Sequence, residues 1–379
     1  MELIKEALTF DDVLLVPRYS SVLPVETNLD INLGKNLILK IPFLSSAMDT
    51  VTESSMATAI AQKGGLGIIH RNLSIAEQVK EIKKVKSKKL IVGAAVGTTN
   101  EDLSRTKSII DAGVDLVVID TAHGHSEKVI KTLRRIKKIF SKIPICVGNI
   151  ASAEAALKLY NEGADILKVG IGPGSICTTR MIAGIGVPQI TAVMEVKKSM
   201  KNKKIKIISD GGIKFSGDVI KGLAAGADAI MMGSIFAGTD ESPGKKFKYK
   251  NKFYKSYRGM GSIGAMSAGS SNRYFQKNFK DKSKFVPEGV EAKVPYKGSV
   301  NEILYQLQGG LRSSMGYIGA IMIKDIYKKA RFIKITKAGF YESMVHSVET
   351  IKKKNKQQII NYEKKVANYF YIYIKSFSY

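Results

Sequence analysis

Eight short apolar runs, each followed by a helix-like stretch, constrain this chain more than any other feature. They lie at 41–46, 66–69, 90–96, 116–120, 143–147, 166–169, 205–209 and 229–232. A strand that is apolar at successive residues buries both faces, which is the mark of a parallel sheet covered by crossover helices. Helices are predicted at about 53–62, 75–85, 101–112, 126–141, 152–162, 189–200 and 216–225, with Ser74 as the N-cap of the second. Gly64 and Gly65 stop the first helix, and three others end in a small-residue turn and an acid, at Asp115, Asp165 and Asp228. Eight such units favour a closed (β/α)8 TIM barrel over an open sheet.

The remaining segments attach to that barrel. The stretch 8–18 (LTFDDVLLVPR) is apolar and turns at Pro17. After Ser234 the alternation stops. Residues 240–300 are basic, glycine-rich and spotted with aromatics, without a clear period, and a loop this long is a functional or mobile insertion. Helical patterning returns at about 301–324 and closes the barrel. One catalytic domain is expected over 1–346, with a long mobile flap at about 240–300, followed by a basic tail at 347–379. The chain carries 60 Lys and Arg against 33 Asp and Glu, a net charge of +27. Such a charge suits anionic partners, but the lysines are spread among many Ile, Asn and Tyr, and no nucleic-acid reader motif is visible. The excess reads as compositional bias, and specific nucleic-acid binding is not expected. No run reaches the ~18 apolar residues of a membrane helix, and the first residues form no secretory apolar core. The two cysteines, Cys146 and Cys177, make neither a metal-ligand spacing nor a disulfide framework. A soluble, cytoplasmic protein is expected.

In such a barrel the reacting groups sit at the C-terminal ends of the strands. There the sequence places Ser45, Ser46 and Met48 after the first run, and Asp120, Thr121, Ala122, His123 and Gly124 after the fourth. Gly148 and Asn149 follow the fifth, Asp210, Gly211 and Gly212 the seventh, and Gly233 and Ser234 the eighth. The sixth run ends in the loop GIGPGSICTTR at 170–180, which sets Cys177 among glycines. A thiol so placed reads as a nucleophile, and a small buried residue is the alternative. A free thiol, with pKa ~8.5, works better at neutral pH when lowered, and the loop's N–H groups and Arg180 are available for that. The glycines at 211–212 and 233–234 read as a phosphate site, or else as tight turns. Asp210 beside them suits ribose hydroxyls, or is structural. Cys146, inside IPICVG, reads as core. His123 and His125 lack ligand-spaced carboxylates or cysteines, and His70 and His346 are isolated, so no catalytic transition metal is expected.

Together these residues resemble a known family. The chain is similar to bacterial inosine-5′-monophosphate (IMP) dehydrogenase from about residue 2 to 346. The motifs are LTFDDVLLVP at 8–17, SSAMDTVTE at 45–53, VGIGPGSICTTR at 169–180, SDGGI at 209–213 and YRGMGSIGAM at 257–266. RYFQ at 273–276, VPEGVE at 286–291 and QLQGGLRSSMGY at 306–317 add to them. The resemblance implies attack of Cys177 on the purine C2 of IMP, hydride transfer to NAD, and a covalent thioimidate. A flap carrying Arg273 and Tyr274 then enters the vacated cofactor site, with Arg273 as the base that activates water and Tyr274 and Thr179 assisting. The product is xanthosine monophosphate, a step of guanine nucleotide synthesis.

By position, the resemblance implies that Ser46, Met48, Ser175, Asp210, Gly211, Gly212, Gly233, Ser234 and Tyr257 hold phosphate and ribose. Gly259, Met260, Gly261 and Glu288 belong to the base, and Asp120, Thr121, Ala122, Asn149, Gly170 and Gly172 to NAD. The carbonyls of Gly172, Gly174 and Cys177 resemble the family's potassium site, completed by Glu342, Ser343 and Met344 of a neighbouring subunit, which implies a homotetramer. Two departures stand out. Val85 runs to Leu90 through four residues where most members insert a pair of regulatory cystathionine-β-synthase-type domains, so nucleotide control through that pair is not expected. Met344 stands where bacterial members usually have His. GMP reductase, which uses NADPH, shares the barrel and the cysteine loop; Arg273-Tyr274 and residues 258–262 favour the dehydrogenase.

Overall fold

A computed structural model describes residues 6–274, 276 and 282–348. The expected basic tail lies, past residue 348, outside the described residues. The eight runs form strands β1 (Phe43–Ser45), β2 (Leu66–Ile69), β3 (Gly93–Val96), β4 (Leu116–Asp120), β5 (Ile145–Ile150), β6 (Ile166–Val169), β7 (Lys206–Asp210) and β8 (Ala229–Met232). They close a barrel in the order β7-β8-β1-β2-β3-β4-β5-β6, with every pairing parallel. The helices are α1 (Ser54–Gln62), α2 (Ile75–Lys86), α3 (Asn100–Asp111), α4 (Glu127–Ile139), α5 (Ala153–Asn161), α6 (Gln189–Ser199), α7 (Ser216–Ala224) and α8 (Val300–Ile318).

Burial explains the pattern. Every residue of β1 to β6 and of β8 is buried, because one face fills the barrel and the other lies beneath a helix. The helices bury one stripe each; in α4 it is Val129, Ile130, Leu133 and Ile136. Ser74 caps α2 as expected: its hydroxyl accepts the Glu77 amide at 3.2 Å, and the Glu77 carboxylate accepts the Ser74 amide at 2.8 Å.

The three turn-and-acid motifs share one role at the bottom of the barrel. Asp115 accepts the Val92 amide at 2.8 Å, Asp165 the Ile145 amide at 2.9 Å, and Asp228 the Ile207 amide at 2.9 Å. Each carboxylate also takes a lysine, from Lys86, Lys137 and Lys206 respectively. Each thus ties the start of its own strand to the neighbouring strand. Asp228→Ala is expected to cost about 1.5–3 kcal/mol, the range for a hydrogen bond to a charged group. Denaturant unfolding checks this, with Michaelis constants unchanged because the site is at the other end.

Five expectations need correction. Regular β3 starts at Gly93, not 90, and β5 runs on to Ile150 rather than ending at 147. The closing helix is two: Gly319 adopts a left-handed conformation (φ 69°) that ends α8, and a second helix, Ile323–Lys329, follows. The leading segment contains a strand, Val13–Leu15, paired antiparallel with Phe332–Lys334. The insertion at 240–300 is not unpatterned: Lys246–Tyr249, Lys252–Arg258 and Glu291–Pro295 form an antiparallel sheet. Along 246–249 lysine and aromatic residues alternate, and on an exposed strand that replaces the usual alternation of apolar and polar residues.

Candidate active site

A cavity of about 1520 Å³ opens at the C-terminal ends of β1 and β4 to β8, and the insertion covers it. Pockets for one small ligand run to ~300–1,000 Å³, so this one has room for two ligands side by side.

The loop after β6 enters the cavity first. Gly172 has φ 78°, and a β-carbon there would lie 2.5 Å from Arg180 Cγ, so only glycine lets Arg180 pack across the loop. Arg180 braces it, with Nε donating to the Ile171 carbonyl at 3.1 Å and Nη2 to the Val187 carbonyl at 2.7 Å. Its hydrogen bonds are therefore to backbone, and it interacts with Cys177 through charge. On its far side the loop is held by the insertion. The Thr178 amide donates to the Glu288 carbonyl at 3.0 Å, and the Val290 amide to the Ile176 carbonyl at 3.0 Å.

Cys177 is half-buried and borders the cavity. Its thiol donates to Thr179 Oγ1 at 3.3 Å, and that hydroxyl donates to Glu288 Oε2 at 2.7 Å. A continuous chain thus leads from the thiol to a carboxylate. Cys146 is different: it is fully buried in β5, and burial pushes its thiol up to about 12. At pH 8 that leaves about one thiolate in 10⁴. Brief treatment with iodoacetamide should therefore modify one cysteine per chain, Cys177, as peptide mapping would reveal; comparable labelling of Cys146 would contradict the assignment.

Beside the thiol the expected nucleotide residues converge. Ser46, Met48, Ser175, Asp210, Gly211, Gly212, Gly233 and Ser234 all border the cavity. The Tyr257 phenol links them: it is hydrogen-bonded to Ser175 and stands 4.0 Å from Met48 Sδ. Burial raises its pKa, so it remains a neutral donor. A β-carbon at Gly233 would lie 3.1 Å from the same phenol oxygen, which explains glycine there. Gly259, Met260 and Glu288 complete this wall, while Gly261 stands one layer back against the Tyr274 ring. Arg258 clamps the 257–262 segment to the loop after β1, through Asp49 at 2.7 Å.

Asp120, Ala122, Asn149, Gly170 and Gly172 also line the cavity, with Arg273 and Tyr274. Arg273 is ion-paired with Asp120 Oδ2, and its carbonyl accepts the Ala122 amide at 3.2 Å. Tyr274 is hydrogen-bonded to Arg273, and burial raises its phenol pKa. Thr121 is buried, donating to the Gly148 carbonyl. Of the C-terminal residues, Met344 borders the cavity and Glu342 and Ser343 do not.

Sequence reasoning missed Lys168. It sits in β6, fully buried, with Nζ on Asp120 Oδ1 at 2.9 Å, on Asp210 Oδ2 at 3.0 Å and on Asn149 Oδ1. The signal was a lone lysine inside an otherwise apolar run. His123 and His125 face each other at 6.3 Å, and among the described residues no three His, Cys, Asp or Glu are grouped to hold a metal ion.

A closed parallel barrel whose cavity, lined by glycine loops and a half-buried thiol, opens at the C-terminal ends of its strands has the layout of a (β/α)8 enzyme. Residues 7–346 match the family model for the IMP dehydrogenase / GMP reductase domain, and the chain belongs to that family. Inosine-5′-monophosphate dehydrogenase of Borreliella burgdorferi is 49% identical over 397 residues, spanning 92% of this chain and 98% of that protein. The Cryptosporidium parvum protein of the same name is 46% identical over 404 residues, 95% of this chain and 99% of the relative. That of Bacillus subtilis is 40% identical, with 92% of this chain and 97% of the relative covered. This last alignment spans 476 positions against 379 residues here, so the Bacillus protein carries residues that this chain lacks. Here α2 ends at Lys86 and β3 begins at Gly93, joined directly.

Proposed function

We propose that the chain is an IMP dehydrogenase, oxidising IMP to xanthosine 5′-monophosphate with NAD in the synthesis of guanine nucleotides. The observation that carries this is that one cavity is lined both by the Cys177–Thr179–Glu288 chain and by Arg273 docked on Asp120. An Arg–Tyr pair there is expected of the dehydrogenase and not of GMP reductase.

The residues divide the work. Ser175, Tyr257, Ser46 and the glycine loops 211–212 and 233–234 hold the phosphate, with Asp210 on the ribose. The thiol of Cys177 gives its proton to the Thr179–Glu288 chain, and Sγ bonds to purine C2. NAD, held beside Asp120 and Asn149, would supply the acceptor for the hydride that leaves C2. The enzyme then carries a thioimidate on Cys177. Arg273, in the neutral form reached by giving its own proton to solvent, takes a proton from water, the water oxygen bonds to C2, and the C2–Sγ bond breaks to restore the thiolate. The sum is IMP, NAD and water to xanthosine monophosphate, NADH and a proton. Splitting one hard step into two easier ones is the general gain of a covalent nucleophile.

Asp120, Asn149, Ala122 and Gly170 would hold NAD. Because Arg273 and the cofactor need the same carboxylate, they occupy that place in turn, which accounts for a segment that moves. The carbonyls of Gly172, Gly174 and Cys177 would hold potassium: neutral oxygens suit a singly charged cation, and the loop's backbone supplies several within five residues. Glu342, Ser343 and Met344 would complete that site across a tetramer interface. No helix among the described residues is long and apolar enough to cross a membrane.

NADH formation from IMP and NAD tests the reading. Turnover of GMP with NADPH, and none of IMP with NAD, would sink it. Turnover in potassium should exceed that in sodium or lithium; equal rates in all three would remove the cation assignment.

A further inference from the structure

We propose that Lys168 is a positioning residue that couples the nucleotide side of the cavity to the cofactor side, one ammonium group fixing Asp210 and Asp120 together. The inference rests on the dehydrogenase reading of those two sides. Lys168 lies on β6. Asp120 ends β4, Asn149 lies on β5 and Asp210 ends β7, so four successive strands of the barrel meet at one nitrogen. A lysine has three N–H donors and no acceptor. All three are used, on Asp120 Oδ1, Asn149 Oδ1 and Asp210 Oδ2. Asn149 closes the ring by donating to Asp210 Oδ2 at 2.9 Å.

The barrel is shaped around this side chain. Gly148 is the register partner of Lys168 on β5, and a β-carbon there would lie 2.7 Å from Lys168 Cβ. A fully buried ammonium is costly unless paired, and an apolar residue would fill a strand interior at less cost. The pairing has a consequence for both ligands. Lys168 occupies one oxygen of Asp120, and Arg273 occupies the other, Oδ2. With Arg273 in place two cations face two carboxylates. When Arg273 leaves, Asp120 keeps its orientation through Lys168 and presents Oδ2 to the cofactor. The same ammonium orients Asp210, so neither carboxylate can swing without disturbing the other.

Lys168→Met, Lys168→Gln and Lys168→Arg in the full chain test this. Thermal unfolding reports folding, calorimetric binding of IMP alone reports the Asp210 side, and the NAD Michaelis constant reports the Asp120 side. The Met and Gln variants should weaken IMP binding and raise the NAD constant, each by about tenfold or more, the effect of one lost charge-assisted hydrogen bond. Lys168→Arg, which keeps the cation, should recover most of both. A lysine with a purely structural role would lower the melting temperature and leave both constants within about twofold, and that result overturns the proposal. Should neither neutral variant fold, Asp120→Asn decides. The dehydrogenase reading puts Asp120 on the cofactor side, so coupling through Lys168 predicts weaker binding of IMP alone, whereas unchanged IMP affinity overturns it. If the unaltered protein forms no NADH from IMP and NAD, the dehydrogenase reading fails instead.

Discussion

Replacing Cys177 by alanine abolishes NADH formation, with turnover falling on the order of 10⁴-fold or more, as when a covalent nucleophile is removed elsewhere. The size follows from the site. Among the described residues the other thiol is Cys146, which is fully buried with its pKa pushed up to about 12 and cannot substitute. Folding should be spared, because Cys177 lies in a half-exposed loop held by Arg180 on one side and by residues 288–290 on the other. IMP should still bind, since the proposed phosphate contacts run through Ser175 and Tyr257. Rapid-mixing absorbance together with calorimetric IMP binding checks both halves. Residual turnover above about 1% would mean that hydride transfer does not require the thiol.

Arg273→Ala separates the two chemical steps. The first turnover should form one NADH per active site at nearly the parent rate, because in the proposed cycle Arg273 leaves Asp120 before the cofactor binds there. Hydrolysis then slows by about 10²–10⁴-fold, the range for loss of a positioned general base, and the thioimidate accumulates. Pre-steady-state absorbance shows a burst followed by a slow phase. Equal slowing of burst and steady state would place Arg273 in hydride transfer and remove it from water activation.

Most of the barrel was legible because eight runs are apolar on both faces, and only a covered parallel sheet makes use of that. The top-of-strand residues followed, since the barrel fixes which end carries chemistry. Three things were hidden, for physical reasons. Lys168 lies in a run that reads as plain core, and its meaning depends on Asp120 and Asp210, which are distant in the sequence. The first strand of the sheet within 240–300, Lys246–Tyr249, alternates lysine with aromatics, so its period of two was masked by charge. The strand Val13–Leu15 is three residues long and finds its partner at Phe332–Lys334, a contact that no local pattern encodes.

The central claim is the covalent intermediate on Cys177, and mass spectrometry of acid-quenched enzyme tests it most directly. Protein mixed with IMP and NAD, quenched within one turnover and digested, should yield the Cys177 peptide bearing a purine nucleotide, with more of it in the Arg273→Ala variant. NADH formed at one equivalent per site with the Cys177 peptide unmodified in both proteins would contradict the account.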